Sequence, residues 1–329
     1  MTNLQGSTKA ILLVGGKGTR LAPLTNQIPK PMLKVAGKPV TEHQIVKARE
    51  AGIKEIVLAT SYMAEVFEPH FGDGSKFGIS IRYAVEDVPL GTGGAIANAA
   101  QMLELNEGES VVIFNGDVLS AHDLTQQISQ HATTAADVTL FLTEVEDARA
   151  YGCVPLDDEG RVLEFLEKMD NPKANTINAG CYVFSSRAIS EIPRDTVVSV
   201  ERDTFPLLLQ KKFSIFGYTD RRYWIDMGTP QSFLKASRDL ILDPSLSSAT
   251  ESVLSESLIE EGVFVDPTAH IGGGSMVSTG VRIGARAKVI GSMLMKDVEI
   301  GEGSTVIDSY IAPGLRVPSS TEIVGKILG

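Results

Sequence analysis

Cysteine is almost absent from this chain: Cys153 and Cys181 are the only two in 329 residues. Two cysteines cannot form the framework that staples a small secreted fold, and a reducing compartment would keep both as thiols. Both sit in apolar surroundings, YGCV and AGCYVF, and are expected as small core residues. Histidine is scarce as well. His43, His70, His122, His131 and His270 are scattered without ligand spacing, which argues against a zinc site. No apolar run reaches roughly 18 residues, so no membrane span is expected. The N-terminal MTNLQGSTK lacks the basic and apolar parts of a secretory signal, and a cytoplasmic location is the expectation. Positive charge is not in excess either. The net charge of −11 argues against a broad nucleic-acid face. It leaves room for a small anion held by local cations and backbone N–H groups.

What is present is length enough for more than one domain, and a change of pattern along it. Up to about residue 240, strand-like runs (KAILLV, EIVLAT, ISIRYAV, SVVIFNGD) alternate with helix-like segments (TEHQIVKAREAG, AEVFEPHF, AIANAAQML). This order predicts an α/β domain over 1–240, a Rossmann-like, mostly parallel sheet with helices on both faces. Ligands of such sheets bind beyond the C-terminal strand ends, where VGGKGTR and NGD both lie, so the two are expected to meet. Residues 241–258 are polar and serine-rich and read as a linker. Over 259–329, Val265, Ile271, Val277, Ile283, Val289 and Met295 recur every six residues; the phase then slips by one, and Ile300 and Val306 resume it. That period predicts a short left-handed parallel β-helix of about three coils.

VGGKGTR is neither G-x-x-x-x-G-K-[ST] nor G-x-G-x-x-G, since Leu21 stands where the third glycine belongs. What remains is a strand end cleared of side chains beside two cations, Lys17 and Arg20, followed by Lys30 between Pro29 and Pro31. The prolines restrict the backbone and would present the Lys30 ammonium in one place. A solvated turn lysine is the alternative. Beside the glycine loop, the phosphate-binding reading is preferred.

GGKGTRLAPLTNQIPKPMLKVAGKPV resembles the signature of the sugar-1-phosphate nucleotidyltransferases. The resemblance continues through PLGTGGAI, FNGD, FLEK, NAGCYVF and YWIDMGTP, in order over about the first 240 residues. It implies attack by a sugar 1-phosphate oxygen on the α-phosphorus of a nucleoside triphosphate, with pyrophosphate leaving. The nucleophile is already an anion, its second pKa being about 6. Positioning and charge neutralisation are therefore the work required, with Mg2+ as the implied cofactor. The resemblance implies Arg20 on the leaving pyrophosphate, Lys30 near the reacting phosphates, and Asp117 and Asp226 as Mg2+ ligands. It puts Leu13, Gly15, Gly16, Gly18, Thr19, Arg20, Glu86, Pro89 and Gly91 around the nucleotide, with Glu86 against the base. Gly152, Glu167, Lys168, Asn178 and Trp224 fall to the sugar phosphate. For Glu167 and Lys168 a surface ion pair is the competing reading, and for Trp224 a core role.

Within the family the phrasing is nearest the guanylyl branch, which makes GTP and mannose 1-phosphate the first expectation. Uridylyl or thymidylyl transfer to glucose 1-phosphate, and guanylyl transfer to a heptose phosphate, are the alternatives. A non-catalytic regulatory subunit that binds a sugar nucleotide is disfavoured, because Arg20, Lys30, Asp117 and Asp226 are all present. An acyltransferase β-helix is disfavoured because His270 is the sole histidine of that region. Two positions depart from the family pattern. Val14 replaces an alanine and is expected to crowd the nucleotide loop slightly; Lys34 replaces a proline and adds an uncommitted charge. The open edges of the β-helix coils lead us to expect a homo-oligomer formed through them.

Overall fold

KAILLV and EIVLAT have the unbroken apolar character of strands covered on both faces, and they form adjacent interior strands of a sheet. The computed structural model describes residues 8–166, 170–250 and 254–329. These fall into two units, 8–16 with 44–224 and 17–43 with 225–329.

The first unit is built on seven strands: β1 (Thr8–Leu13), β2 (Glu55–Thr60), β3 (Ser80–Val85), β4 (Ser110–Asn115), β5 (Val138–Glu144), β6 (Thr176–Ser185) and β7 (Ile215–Thr219). Their order is β7-β5-β6-β4-β1-β2-β3. All neighbours are parallel except β6, which runs antiparallel to both β4 and β5. The predicted mostly parallel sheet is therefore present, with one reversed strand carrying NAGCYVF. Ile11, Val57, Ile113, Leu140, Tyr182 and Phe184 form its core. The helix α1 (Val40–Glu50) stops two residues before Gly52, whose φ of +86° suits glycine at a helix C-terminus. The helices α2 (Gly91–Met102) and α3 (Leu124–Thr134) follow β3 and β4. Cys153 and Cys181 are buried free thiols, as expected, and burial pushes Cys181 up to about 12.

The second unit holds α4 (Pro230–Leu242), opened by a capping box between Thr229 and Ser232, and the C-terminal strands. These strands form three parallel ladders of five, four and four, the pattern of a β-helix with four coils and one further strand among the described residues. That exceeds the three coils expected. In one ladder Phe264 pairs with Arg282, Arg282 with Glu299, and Glu299 with Arg316, so the first coil is one residue longer than those after it. The inward stack runs Val277, Ile283, Val289, Leu294, Ile300, Val306, Ile311, Val317, Ile323. Leu294, not Met295, is the inward residue, because each later coil turns one corner in five residues instead of six. Ser275, Ser292 and Ser309 sit fully buried at that corner, each hydroxyl taking the backbone N–H of the next coil at 3.0–3.2 Å.

Within 241–258, the described residues 241–250 and 254–258 are more structured than the composition implies. α4 extends to Leu242, Pro244–Leu246 makes a 3-10 turn, and Ser257–Ile259 is already a β-helix strand paired with Ser275–Val277. His43 Nδ1 lies 2.7 Å from Ser247 Oγ and Nε2 2.9 Å from the Val35 carbonyl, tying the serine-rich segment down. Lys34, expected as an uncommitted charge, pairs with Glu260 of the first coil at 2.7 Å.

Three buried histidines set an acid limit. Burial lowers His131 to about 4 from its ordinary 6.5, against the opposing pull of Asp137. Its Nδ1 is 3.0 Å from the Thr139 hydroxyl. Between these pH values the unfolded chain takes up a proton that the folded chain refuses. The contribution is therefore intact above pH 6.5 and lost as pH falls towards 4, by up to about 3 kcal/mol. Burial lowers His43 and His122 in the same sense. Denaturant midpoints measured from pH 7 to pH 4.5 are expected to fall steadily; a flat profile contradicts this.

Candidate active site

In the first unit the site begins where β1 ends. Leu13 is half-buried and pairs with Asn115 in the register of β1 and β4, so the two loops follow neighbouring strands. The Gly116 N–H donates to the Leu13 carbonyl at 3.1 Å, and a Cβ on Gly116 would stand 2.3 Å from that oxygen. Only glycine lets the NGD turn press on β1 this closely, so the predicted meeting of the two strand ends is present. Val14 points into the core and is fully buried. Its Cγ1 faces the NGD turn, 3.2 Å from where a Cβ on Gly116 would stand.

The glycines differ in what they accommodate. A Cβ on Gly15 would lie 2.6 Å from Ser61 Oγ, which itself donates to the Gly15 carbonyl at 2.8 Å. A Cβ on Gly91, at φ +73°, would lie 2.7 Å from the Val198 carbonyl oxygen. Gly16 has open space where a side chain would be. Internal packing thus explains the glycines at 15 and 91, and bare backbone the glycine at 16. Pro89 is exposed in the same loop as Gly91.

Glu86 follows β3. Its Oε2 accepts the Leu90 N–H at 3.1 Å, while Oε1 is buried without a hydrogen-bond partner. Burial pushes its carboxyl above the usual range, against the lowering pull of the Leu90 N–H. An acceptor in this state calls for a donor.

The turn bearing Asp117 is held from below by Gln44 of α1, whose Nε2 donates to the carbonyls of Asn115 (2.8 Å) and Val118 (3.0 Å). Asp117 is half-buried there. Gly152, Asn178 and Trp224 come together around β6. The Trp224 indole N–H donates to the Ala179 carbonyl at 3.0 Å, and its ring meets Tyr151, the neighbour of Gly152, edge-on at 5.6 Å between centroids. Asn178 Nδ2 donates to Glu201 at 2.7 Å and to the Tyr182 hydroxyl at 2.9 Å. Glu167 and Lys168 lie outside the described residues.

In the second unit, Gly18 at φ +62° opens the 3-10 turn Thr19–Leu21, which leaves Thr19 and Arg20 exposed. Lys17 is exposed too. Lys30 is not a solvated turn lysine: it is 7% exposed, in a 3-10 turn entered through Pro29. Its stem lies across the loop, so that a Cβ on Gly18 would meet Lys30 Cβ at 2.8 Å. The Thr25 hydroxyl fastens the same loop by donating to the Gly18 carbonyl at 3.0 Å. A Cβ on Gly228 would lie 3.1 Å from Asp226 Oδ1 and 3.5 Å from Arg20 Nη2. The guanidinium and the carboxylate thus border the same glycine.

A sequence model of the nucleotidyl transferase family matches residues 9–242. The chain belongs to that family. It is 46% identical over 298 residues to the mannose-1-phosphate guanylyltransferase of Mycobacterium tuberculosis, covering 90% of this chain and 82% of that one. It is 35% identical over 278 residues to mannose-1-phosphate guanylyltransferase 1 of Arabidopsis thaliana, covering 84% and 76%. Among solved structures it resembles HddC from Yersinia pseudotuberculosis complexed with GMP-PN, with a TM-score of 0.59 and 29% identity over 71% of this chain and all of that one.

For a nucleotidyl transferase three side chains were not foreseen from sequence: Gln44, Tyr182 and Glu201. Gln44 sits in an ordinary helical pattern, Tyr182 in an apolar run, and Glu201 among charges that read as solvated. Only their hydrogen bonds to distant segments distinguish them. No group of three or more potential protein ligands gathers among the described residues. Mg2+ needs no such cage, since it is commonly held by one or two carboxylates with water and phosphate oxygens completing the shell. Asp117 and Asp226 supply hard oxygen donors of the fitting kind.

Proposed function

We propose that this nucleotidyl transferase forms GDP-mannose from GTP and mannose 1-phosphate. The observation that carries the choice of base is Glu86. A carboxylate only accepts hydrogen bonds. Guanine offers adjacent donors, N1–H and the 2-amino group. Uracil and thymine offer one N–H between two carbonyls that would repel a carboxylate; adenine and cytosine offer an amino group beside an acceptor nitrogen. The buried, unpartnered Oε1 of Glu86 therefore fits guanine best. The mannose 1-phosphate assignment is supported by the names of the relatives from Mycobacterium tuberculosis and Arabidopsis thaliana.

A phosphate oxygen of mannose 1-phosphate attacks the α-phosphorus of GTP, the bond from that phosphorus to the bridging oxygen breaks, and pyrophosphate leaves with the electron pair. No proton must be removed from the nucleophile. Lys17 and Arg20 neutralise the triphosphate, with Arg20 on the departing pyrophosphate, and Lys30 acts at the reacting phosphates. The carboxylates of Asp117 and Asp226 would hold Mg2+, which would supply charge neutralisation at the phosphates. The open backbone at Gly16 and the exposed turn at Thr19 take the nucleotide, with Leu13, Gly15, Gly18, Pro89 and Gly91 shaping their loops. Gly152, Asn178 and Trp224 receive the sugar.

Direct transfer is tested by isotope exchange. Labelled pyrophosphate is expected to enter GTP only when GDP-mannose or mannose 1-phosphate is present. Exchange with GTP alone would point to a covalent nucleotidyl-enzyme and overturn the direct reaction. Base choice is tested by Glu86→Gln, which swaps one acceptor for an amide. The GTP preference is expected to fall by about 10- to 100-fold in kcat/KM, the scale of one good base-edge contact. An unaltered preference would remove Glu86 from base recognition.

Residues 1–240 are proposed as the catalytic domain, with 259–329 serving assembly. Phe264 and Ile259 are exposed on the first β-helix coil, at 60% and 47%, and a second copy of the chain covering that edge would bury them. Light scattering at micromolar concentration reads this directly, and a monomer overturns it.

A further inference from the structure

Among the sugar-side residues of the first unit, a chain of hydrogen bonds runs from buried Tyr182 to exposed Glu201. Tyr182, on β6, is fully buried. Its hydroxyl receives the Asn178 amide at 2.9 Å and the Asn115 amide at 3.3 Å, and donates to Glu201 Oε1 at 3.4 Å. Asn178 is doubly fixed, since its Nδ2 also reaches Glu201 at 2.7 Å and its Oδ1 takes the Gly180 N–H at 3.1 Å. Gly180, at φ +75°, is what allows the approach: a Cβ there would stand 3.1 Å from Asn115 Nδ2 and 3.2 Å from Asn115 Cβ.

Asn115 opens the turn that presents Asp117, and Asn178 is the amide assigned to the sugar. We propose that the Tyr182 hydroxyl is a positioning group for the transfer reaction, fixing the Asp117 turn and the Asn178 amide against one another, with Glu201 as the terminal acceptor. This rests on the reading of the site given above and deepens it. Purely apolar packing would be served as well by phenylalanine, because the ring already packs edge-on against Phe205 at 5.3 Å and Phe184 at 6.3 Å. The hydroxyl is the part that packing does not require. A phenol surrounded by two amide donors and one carboxylate has a single satisfied arrangement, donating to the carboxylate and accepting from both amides. Burial, and after it the nearby Glu201 carboxylate, push the hydroxyl well above the ordinary tyrosine range, which favours the donating form.

The test is Tyr182→Phe, with steady-state constants for each substrate measured separately. Small displacements of positioned groups cost catalysis steeply, and kcat is expected to fall about tenfold. The KM for mannose 1-phosphate and the Mg2+ concentration giving half-maximal rate are expected to rise several-fold, with the GTP KM within twofold of wild type. A merely structural tyrosine would lower the melting temperature and the active fraction and leave every KM unchanged. Because a buried substitution can compromise folding, Glu201→Ala at its exposed position is the second variant. It is expected to raise the mannose 1-phosphate KM in the same way, and Glu201→Gln, which keeps an acceptor oxygen, to restore most of it. Constants within twofold of wild type for Tyr182→Phe, or for Glu201→Ala if the former does not fold, overturn the inference, as does an equal rise in the GTP KM. A wild-type protein inert towards both substrates would instead overturn the function proposed above.

Discussion

Asp117→Asn is expected to reduce Mg2+-dependent turnover by about a thousandfold, the scale on which removing a central charge-stabilising group acts. The substitution preserves shape. The turn itself is fixed by contacts the side chain does not make: Gly116 presses on Leu13, and the Gln44 amide bridges the carbonyls of Asn115 and Val118. The variant is expected to fold, with those contacts keeping the turn in place. What it loses is an anionic hard oxygen, the donor that Mg2+ requires. Rates measured against Mg2+ concentration are expected to show a lower ceiling and a higher half-saturating concentration. A variant with wild-type Mg2+ dependence would mean that Asp117 does not hold the metal.

Arg20→Ala is the second large effect. Turnover is expected to fall by about 100- to 1,000-fold, as when a guanidinium on a transferring phosphoryl group is removed. Arg20 stands exposed on a one-turn 3-10 helix, and the loop is held by the Thr25 hydroxyl and the positive-φ Gly18 rather than by the arginine. Stability is expected to change by less than about 0.5 kcal/mol, as for an ordinary surface position. Arg20→Lys is expected to recover only part of the rate, because an ammonium lacks the planar fork that grips two phosphate oxygens. Equal losses of turnover and of thermal stability would recast Arg20 as a structural residue.

The fold was legible wherever one residue's character settled its place. Apolar strands alternating with helix-like segments announced the parallel sheet, and the glycine and Asn-Gly strand ends marked where its ligands bind. The β-helix announced itself by its period. Its finer register did not, since Met295 and Leu294 are both apolar and only the five-residue corner, closed by buried Ser292 and again by Ser309, decides between them. The serine-rich 241–258 segment misled for a related reason: the partner of Ser247 is His43, two hundred residues away. Departures from the family pattern were visible, but their meaning was not. Lys34 finds Glu260, and Val14 turns into the core.

For the site, residues inside recognisable motifs were legible as candidates in the sequence, and those defined by a distant partner were not. Tyr182 in CYVF carries no sign that its hydroxyl joins Asn115 to Asn178. Gln44 carries none that its amide holds the NGD turn. Glu86 was placed near the base, yet the feature that favours guanine, a spare buried oxygen beside one already bound to the Leu90 N–H, exists only in three dimensions.

Pyrophosphate release with Mg2+ across a grid of nucleoside triphosphates and sugar 1-phosphates reads both the reaction and its substrates at once. The account predicts a strong signal for GTP with mannose 1-phosphate and weak signals elsewhere. A preference for UTP or dTTP with glucose 1-phosphate would contradict the role given to Glu86, and silence from folded protein across the whole grid would contradict catalysis itself.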